Sequence, residues 1–437
     1  MGSNMKGHEN RRQQVLESMP AGSAMLLFGA PHVLRNGDAE YPYRQDSDLW
    51  YLTGWKDPES ALLLTPGESE QSVMFVQPKN PDMEIWTGIR PGTQGAVNDY
   101  RVDAACDWDS LKEELSNRLQ GIHTLYYSVG LDAKRDALVM GAIQGARRAV
   151  RYNHRCLPDT FIHPGRIVHE MRLHKTAEEI DILREAAAIT GEAHVGAMKM
   201  AEPGVNEYQL HAFIDYTFRK HGGNGPGYTS IVGSGENACI LHYIENDQVL
   251  KAGDLVLIDA GCELQNYSAD VTRTFPVSGQ FTAPQRKVYE VVLRANKEVI
   301  DLVRVGTPFK ALQEHCIRSL TAGLVEIGLL EGEVDELVAA KAHRPFYMHG
   351  VSHYLGMDVH DVGLYALEGQ SRRLEEGMVL TVEPGLYIAP DNMSVPEEYR
   401  GIGVRIEDDV LVGQDGPVNL TESIPKSVEA VEAACCS

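Results

Sequence analysis

At 437 residues the chain exceeds what one hydrophobic core usually serves, so two domains are expected. Its 43% apolar and 23% charged residues are ordinary for a globular protein, and no apolar run approaches the ~20 residues of a membrane-spanning helix. A net charge of −22 argues against nucleic acid or an anionic membrane as partner. The polar start MGSNMKGHENRRQQ lacks an apolar leader core, and the seven cysteines show no CxxC spacing. They read as reduced thiols of a cytoplasmic protein, with Cys435-Cys436 in a small-residue tail expected to be disordered.

Along the first 172 residues, strand-like runs (AMLLFGA, ALLLTP, SVMFVQP, TLYYSVG) alternate with helical stretches such as residues 109–121. This alternation predicts a mixed α/β domain over 1–172. A new helix begins after the junction HPGRIVHEMRLHKTAEEI, with Thr176 as N-cap and Glu179 completing a capping box. The second domain, 173–437, hides an internal repeat: KAGDLVLIDAG (251–261) aligns without gaps to EEGMVLTVEPG (375–385). Upstream, EPGVNEYQL (202–210) parallels RVGTPFKAL (304–312), each a glycine turn leading to a helix, capped by Asn206 or by Thr307 with Pro308 at its first position. Each half is expected to run helix, capped helix, His-bearing strand, carboxylate-bearing strand. Two such halves side by side would collect ligand residues at their seam.

Five dispersed residues are candidates for that seam: Asp259, Asp270, His353, Glu383 and Glu407. Each ends or borders an apolar run that reads as a buried strand. Burying an ionised carboxylate costs several kcal/mol unless it is neutralised, so four of them demand cations. Structural zinc prefers thiolates in closed tetrahedra, whereas carboxylates with one imidazole suit a pair of harder divalent ions such as Mn²⁺. Asp259 and Asp270, eleven apart across a turn region, fit adjacent antiparallel strands that bring both side chains to one face. The pair His349 and His353 has HExxH-like spacing, but no Glu follows His349 and Gly350 opposes a helix. A carboxylate-bridged oxidase would place Glu-x-x-His pairs on bundle helices, and none falls at these positions.

The set ILHY (240–243), DAG (259–261), DVTRTF (270–275), HGVSHYLGMDVHDVG (349–363), VEPG (382–385) and GVRIEDDV (403–410) resembles the pita-bread metallopeptidase family. YPYRQDSDLWYLTGW (41–55), WTGIRPGTQGA (86–96) and EEYRGIGVRIEDDVLV (397–412) resemble its aminopeptidase P branch. The likeness runs from about residue 10 to residue 425. It implies an α+β fold: a pita-bread catalytic domain with a pseudo-two-fold repeat, preceded by the α/β domain. It implies two divalent ions per subunit, Mn²⁺ by family expectation with Co²⁺ or Zn²⁺ able to use the same ligands. Asp270 and Glu407 would bridge the ions, Asp259 would complete one shell, and His353 and Glu383 the other. The implied reaction is removal of the N-terminal residue from peptides with proline second, by attack of a metal-bridging hydroxide whose proton Glu383 relays. His242 and His360 would contact substrate, His349 would line the pocket for proline, and Tyr228 and Arg405 would hydrogen-bond near the metals. The N-terminal domain would serve oligomerisation, as a dimer or tetramer, and site access, with Asp38 and Trp86 near a neighbouring active site. An Xaa-Pro dipeptidase shares the fold and ligands, and a basic clamp for its substrate's carboxylate would set it apart. A ligand-free binding protein on the same fold would lose ligands that this chain keeps.

Overall fold

In the computed structural model, which describes residues 4–436, the apolar runs of the N-terminal part form one six-stranded sheet. Its order is Ala104–Asp107, Ser72–Val76, Ala61–Leu64, Ser23–Phe28, Thr124–Tyr126, Thr160–Ile162. Pairing is mixed: the central strand Ser23–Phe28 runs antiparallel to Ala61–Leu64 and parallel to Thr124–Tyr126. The three strands from Ser23, Ala61 and Ser72 are buried along their whole length, which is why they read as continuous apolar runs rather than alternating ones. Helices Leu111–Arg118 and Ala133–Asn153 add Leu111, Leu115, Val139, Ala142 and Ile143 to the same core. The chain divides into two compact units, Met1–Met171 and Arg172–Ser437, and the second has a separate core of its own.

The second unit is built twice over. Helix Ala177–Met200 begins at the capping box of Thr176 and Glu179 and packs against Glu207–Lys220, itself opened by a box of Asn206 with Gln209. Helix Ala283–Leu302 begins at a third box, Thr282 with Gln285, and packs against Phe309–Glu326. Backbone hydrogen bonds repeat between the copies. Gly204 N–H donates to Leu250 O and Leu250 N–H to Val205 O; in the second copy Gly306 N–H donates to Leu374 O and Leu374 N–H to Thr307 O. Isolated bridges join Asn206 to Val249 and Pro308 to Arg373. Gly253 (φ 91°) and Gly377 (φ 84°) make the same left-handed turn before the strands Leu255–Asp259 and Val379–Val382. Each strand then pairs antiparallel with a later one, Thr272–Pro276 or Asp408–Val412.

Four sequence expectations need correction. The bridge to Arg373 holds Pro308 extended (ψ 132°), so it is the cap of the second helix, which starts at Phe309 rather than at the proline. Residues 349–356 carry His349 and His353 but form no continuous strand. They accept from the neighbouring strand, with Thr381 N–H donating to His353 O and Glu383 N–H to Val351 O. Two of the return bonds go to side chains instead, His353 N–H donating to Thr381 Oγ1 and Val351 N–H to Gln313 Oε1, and only Leu355 N–H returns to the strand's backbone, at Val379 O. His242 lies on irregular chain after the short helix Gly235–Cys239, not on a strand. The tail is ordered as helix Val428–Cys435, which anchors Val428 and Val431 in the core.

Candidate active site

The carboxylates stand where strands stop. Asp259 ends Leu255–Asp259, Glu383 follows Val379–Val382, Glu407 precedes Asp408–Val412, and Asp270 lies two residues before Thr272–Pro276. Strand ends free a side chain from ladder packing while the strand's apolar body fixes its position. The hairpin Cys262–Leu264 with Tyr267–Ser268 fills the interval between the two aspartates. Asp259 pairs across the ladder with Thr272, and the same ladder logic in the second copy sets Glu383 opposite Glu407. The repeat therefore equates Asp259 with Glu383 but Thr272 with Glu407, so the acids themselves are not a symmetric set.

A cavity of about 620 Å³ collects these four acids with His353, and also Tyr228, His242, His349, His360 and Arg405. Every residue singled out for chemistry in the second domain thus lines one space. Asp270, His353 and Glu407 each present a ligand atom within 4.8 Å of the others. His353 Nε2 lies 3.4 Å from Asp270 Oδ2 and 3.6 Å from Glu383 Oε1, and its ring centroid is 4.4 Å from that of His360. Asp38 and Trp86 lie in the first unit and are exposed, Trp86 83% so on helix Pro81–Thr87, which buries nothing.

Neutral donors and one guanidinium hold the acids in place. Tyr228 OH contacts Asp259 Oδ1 at 2.6 Å and Asp270 Oδ1 at 2.5 Å. Burial, and next the charges of Asp259 and Asp270, push that phenol well above its ordinary pKa, so it stays a donor. Arg405 Nη2 donates to Asp259 Oδ2 at 2.6 Å, Nη1 to Tyr387 OH at 3.0 Å, and Nε to Thr272 Oγ1 at 3.0 Å. Thr272 Oγ1 in turn donates to Glu407 Oε2 at 2.6 Å. His349 Nδ1 lies 2.8 Å from Gly350 O, which can only accept, so Nδ1 carries the proton and Nε2 accepts from Tyr387 OH at 2.9 Å. Burial, with Arg405 next, lowers the His349 pKa to about 4 and keeps it neutral. Thr272 and Tyr387 escaped the sequence reading because both are neutral and act through other groups. The only signal for Thr272 was its ladder position opposite Asp259.

The electrostatics test whether cations fit. Burial pushes the Asp259 carboxyl up, and Arg405 only partly opposes this. Glu407 is pushed well above its ordinary value by burial and then by Asp270, Glu383 and Asp259. Glu383 rises to about 7, through burial that His353 and Arg405 oppose. Burial alone would lower His353, yet hydrogen bonding and charge from Asp270 carry it up to about 9. A site that forces protons onto acids and an imidazole is one whose negative charge exceeds its compensation. Hard oxygen donors around one imidazole, in that condition, fit divalent cations.

Comparisons with known proteins agree along the whole chain. The model of metallopeptidase family M24 matches residues 181–414, and that of the aminopeptidase P N-terminal domain matches residues 8–126. The chain is 48% identical to the Xaa-Pro aminopeptidase of Escherichia coli K12, over 97% of this chain and 96% of that relative. The solved structure of Pseudomonas aeruginosa aminopeptidase PepP superposes with a TM-score of 0.97 at 44% identity, covering 99% of this chain and 98% of that one. A variant of E. coli aminopeptidase P in complex with substrate gives 0.95 at 47% identity, covering 99% and 98%. The chain belongs to metallopeptidase family M24, with an aminopeptidase P N-terminal domain ahead of a pita-bread catalytic unit.

Proposed function

We propose that this metallopeptidase removes the N-terminal residue from peptides with proline in second position. The observation that carries the reading is the single cavity in which four carboxylates and His353 meet His242, His349, His360, Tyr228 and Arg405. Near-complete alignment with a relative named Xaa-Pro aminopeptidase supports the substrate class. Asp259, Asp270, His353, Glu383 and Glu407 would hold two divalent ions, Mn²⁺ by expectation with Co²⁺ or Zn²⁺ as alternatives. When bound, such ions acidify water and polarise the scissile carbonyl.

The chain's own groups do the rest. Glu383 accepts the proton of the attacking water and returns it to the leaving nitrogen, which in an Xaa-Pro bond has no hydrogen of its own. His353 and His349 flank that carboxylate, with His349 Nδ1 3.7 Å from Glu383 Oε2. His242 and His360 line the cavity, and in this reading they donate to the carbonyl oxygen as charge develops there. Burial, then the neighbouring His353, holds His360 below its ordinary pKa. Arg405 orients Asp259 through its Nη2 hydrogen bond and partly offsets the cost of burying it, and Tyr228 spaces Asp259 from Asp270. The first unit is proposed to mediate a dimer or tetramer in which Asp38 and Trp86 border a neighbouring site, and the protein to work in the cytoplasm with all its thiols free.

Cleavage of an Xaa-Pro-Yaa tripeptide is compared with that of the Xaa-Pro dipeptide, across Mn²⁺, Co²⁺ and Zn²⁺, alongside metal analysis. Release of the first residue from the tripeptide is expected, with two equivalents of metal. Strong preference for the dipeptide would turn the reading to a dipeptidase. Sedimentation of the full chain checks the oligomer, and cell fractionation the compartment.

A further inference from the structure

A second cavity, of about 300 Å³, adjoins the active cavity, and His349 lines both. Gln313 ties the shared wall together. Its Nε2 donates to His349 O at 3.2 Å, and its Oε1 accepts from Val351 N–H at 2.6 Å and Tyr347 OH at 3.4 Å. Three further lining residues are basic: Lys341, His343 and Arg344. Among the described residues, neither Lys341 nor Arg344 has a carboxylate partner, a local exception in a chain of net charge −22. His343 is only 6% exposed, and its Nδ1 has no hydrogen-bond partner. Burial lowers its pKa, and repulsion from Arg344 and Lys341 adds to this, so the cavity's own titratable group registers a positive potential. Lys341, at φ 57°, closes helix Val334–Ala339 as its left-handed C-terminal residue, with Ala342 N–H donating to Leu337 O, which fixes the backbone that carries Lys341 and Arg344.

An enzyme that acts at the amino end keeps that end beside its reacting groups. The remainder of the peptide must run away from four acids that repel a carboxylate. The adjoining space offers two unpaired cations, and Arg344 has the fork geometry that suits a carboxylate. We propose that this second cavity is a subsite for the C-terminal carboxylate of short peptide substrates, with Lys341 and Arg344 as its cations. The inference rests on the aminopeptidase reading and adds a selectivity for short, free-acid peptides.

The test uses the metal-loaded full chain and Xaa-Pro peptides of about three to six residues, which span ~10–20 Å extended. Each is made as free acid and as C-terminal amide, and kcat/KM is read for both. At one chain length the wild type is expected to favour the acid about ten-fold, the yield of one well-made charge-assisted contact. In the double variant Lys341→Gln/Arg344→Gln that ratio should fall to about one, and in Arg344→Glu it should invert toward the amide. An acid-to-amide ratio near one at every length in the wild type overturns the subsite while leaving the aminopeptidase reading intact. A wild-type ratio that the variants leave unchanged overturns it too. Failure of the wild type to cleave any peptide of either series, with any metal, overturns both.

Discussion

Glu383 is asked to do two things, to ligate and to carry a proton, and a substitution can separate them. Glutamine keeps an oxygen donor at the same place but cannot take up the proton. Glu383→Gln is expected to lower kcat by ~10²–10⁴, the usual worth of a positioned acid or base, with most of the metal retained. Loss of metal in proportion to activity would show that only ligation had been removed. Thr272 makes a subtler case. Its hydroxyl receives Arg405 Nε and donates to Glu407, so it joins the two repeats across their seam. Thr272→Val keeps the shape and deletes both contacts. A 10–100-fold loss in activity or metal affinity is expected, as for other groups that orient ligands. Metal titration of the folded variant checks it, and wild-type affinity and rate would remove Thr272 from the site. These two residues mark the limit of sequence reading. Acids beside apolar runs are conspicuous because burial makes them costly, so the four carboxylate ligands stand out. A buried threonine is not costly, and only the ladder register shows what it touches.

At the scale of elements, the site depends on segments whose own backbone bonds are borrowed. Residues 349–356 read as a buried strand because His353 borders an apolar run. Gln313 and Thr381 nevertheless take the amides that a strand would have given its neighbour. No local pattern in residues 349–356 could announce that, since both partners lie elsewhere in the sequence. The repeat, by contrast, was legible because turn glycines and helix caps are local. The His242 segment is held by an equally remote group. Glu207, buried at the start of its helix, accepts from Ser234 N–H and Oγ at 2.7 Å each, from Asn237 Nδ2 at 3.3 Å, from Tyr243 OH at 2.9 Å and from Gln248 N–H at 3.0 Å. These donors flank His242 on both sides. Glu207→Gln replaces one acceptor oxygen with an amide NH2 group facing donors, so about 2–4 kcal/mol of stability should be lost. The rate should fall with metal content retained, because His242 would no longer be held. Denaturant unfolding and kinetics on the same sample check this, and an unchanged midpoint with an unchanged rate would contradict it. Gly261 sets the turn after Asp259, where an added Cβ would come 1.7 Å from Ala269 O. Gly261→Ala should therefore separate Asp259 from Asp270 and weaken metal binding, as read by titration of the folded variant.

For the molecule as a whole, the acids that make the site work also strain it. The folded pKa of Glu383 is about 7 against an ordinary 4.5, and Asp259 and Glu407 are raised as well. A carboxyl raised on folding binds more protons in the folded state than in the unfolded one. Its contribution to stability is therefore present at low pH and is lost as pH rises from the unfolded value through the folded one. Without cations, the catalytic unit should lose stability between about pH 4.5 and 7 on this account. Bound cations neutralise the same carboxylates and remove that loss. Other groups titrate across the window with the opposite sense: burial lowers His194 to about 4, so its contribution falls as pH drops below 6.5. His194 contributes alike with and without metal, so the difference in melting temperature between metal-loaded and chelated protein isolates the site. That difference is expected to be small near pH 4.5 and to widen steadily to pH 7. Differential scanning calorimetry of both forms at matched ionic strength measures it. A difference that stayed constant, or shrank, with rising pH would mean that the clustered acids are not what the cations stabilise.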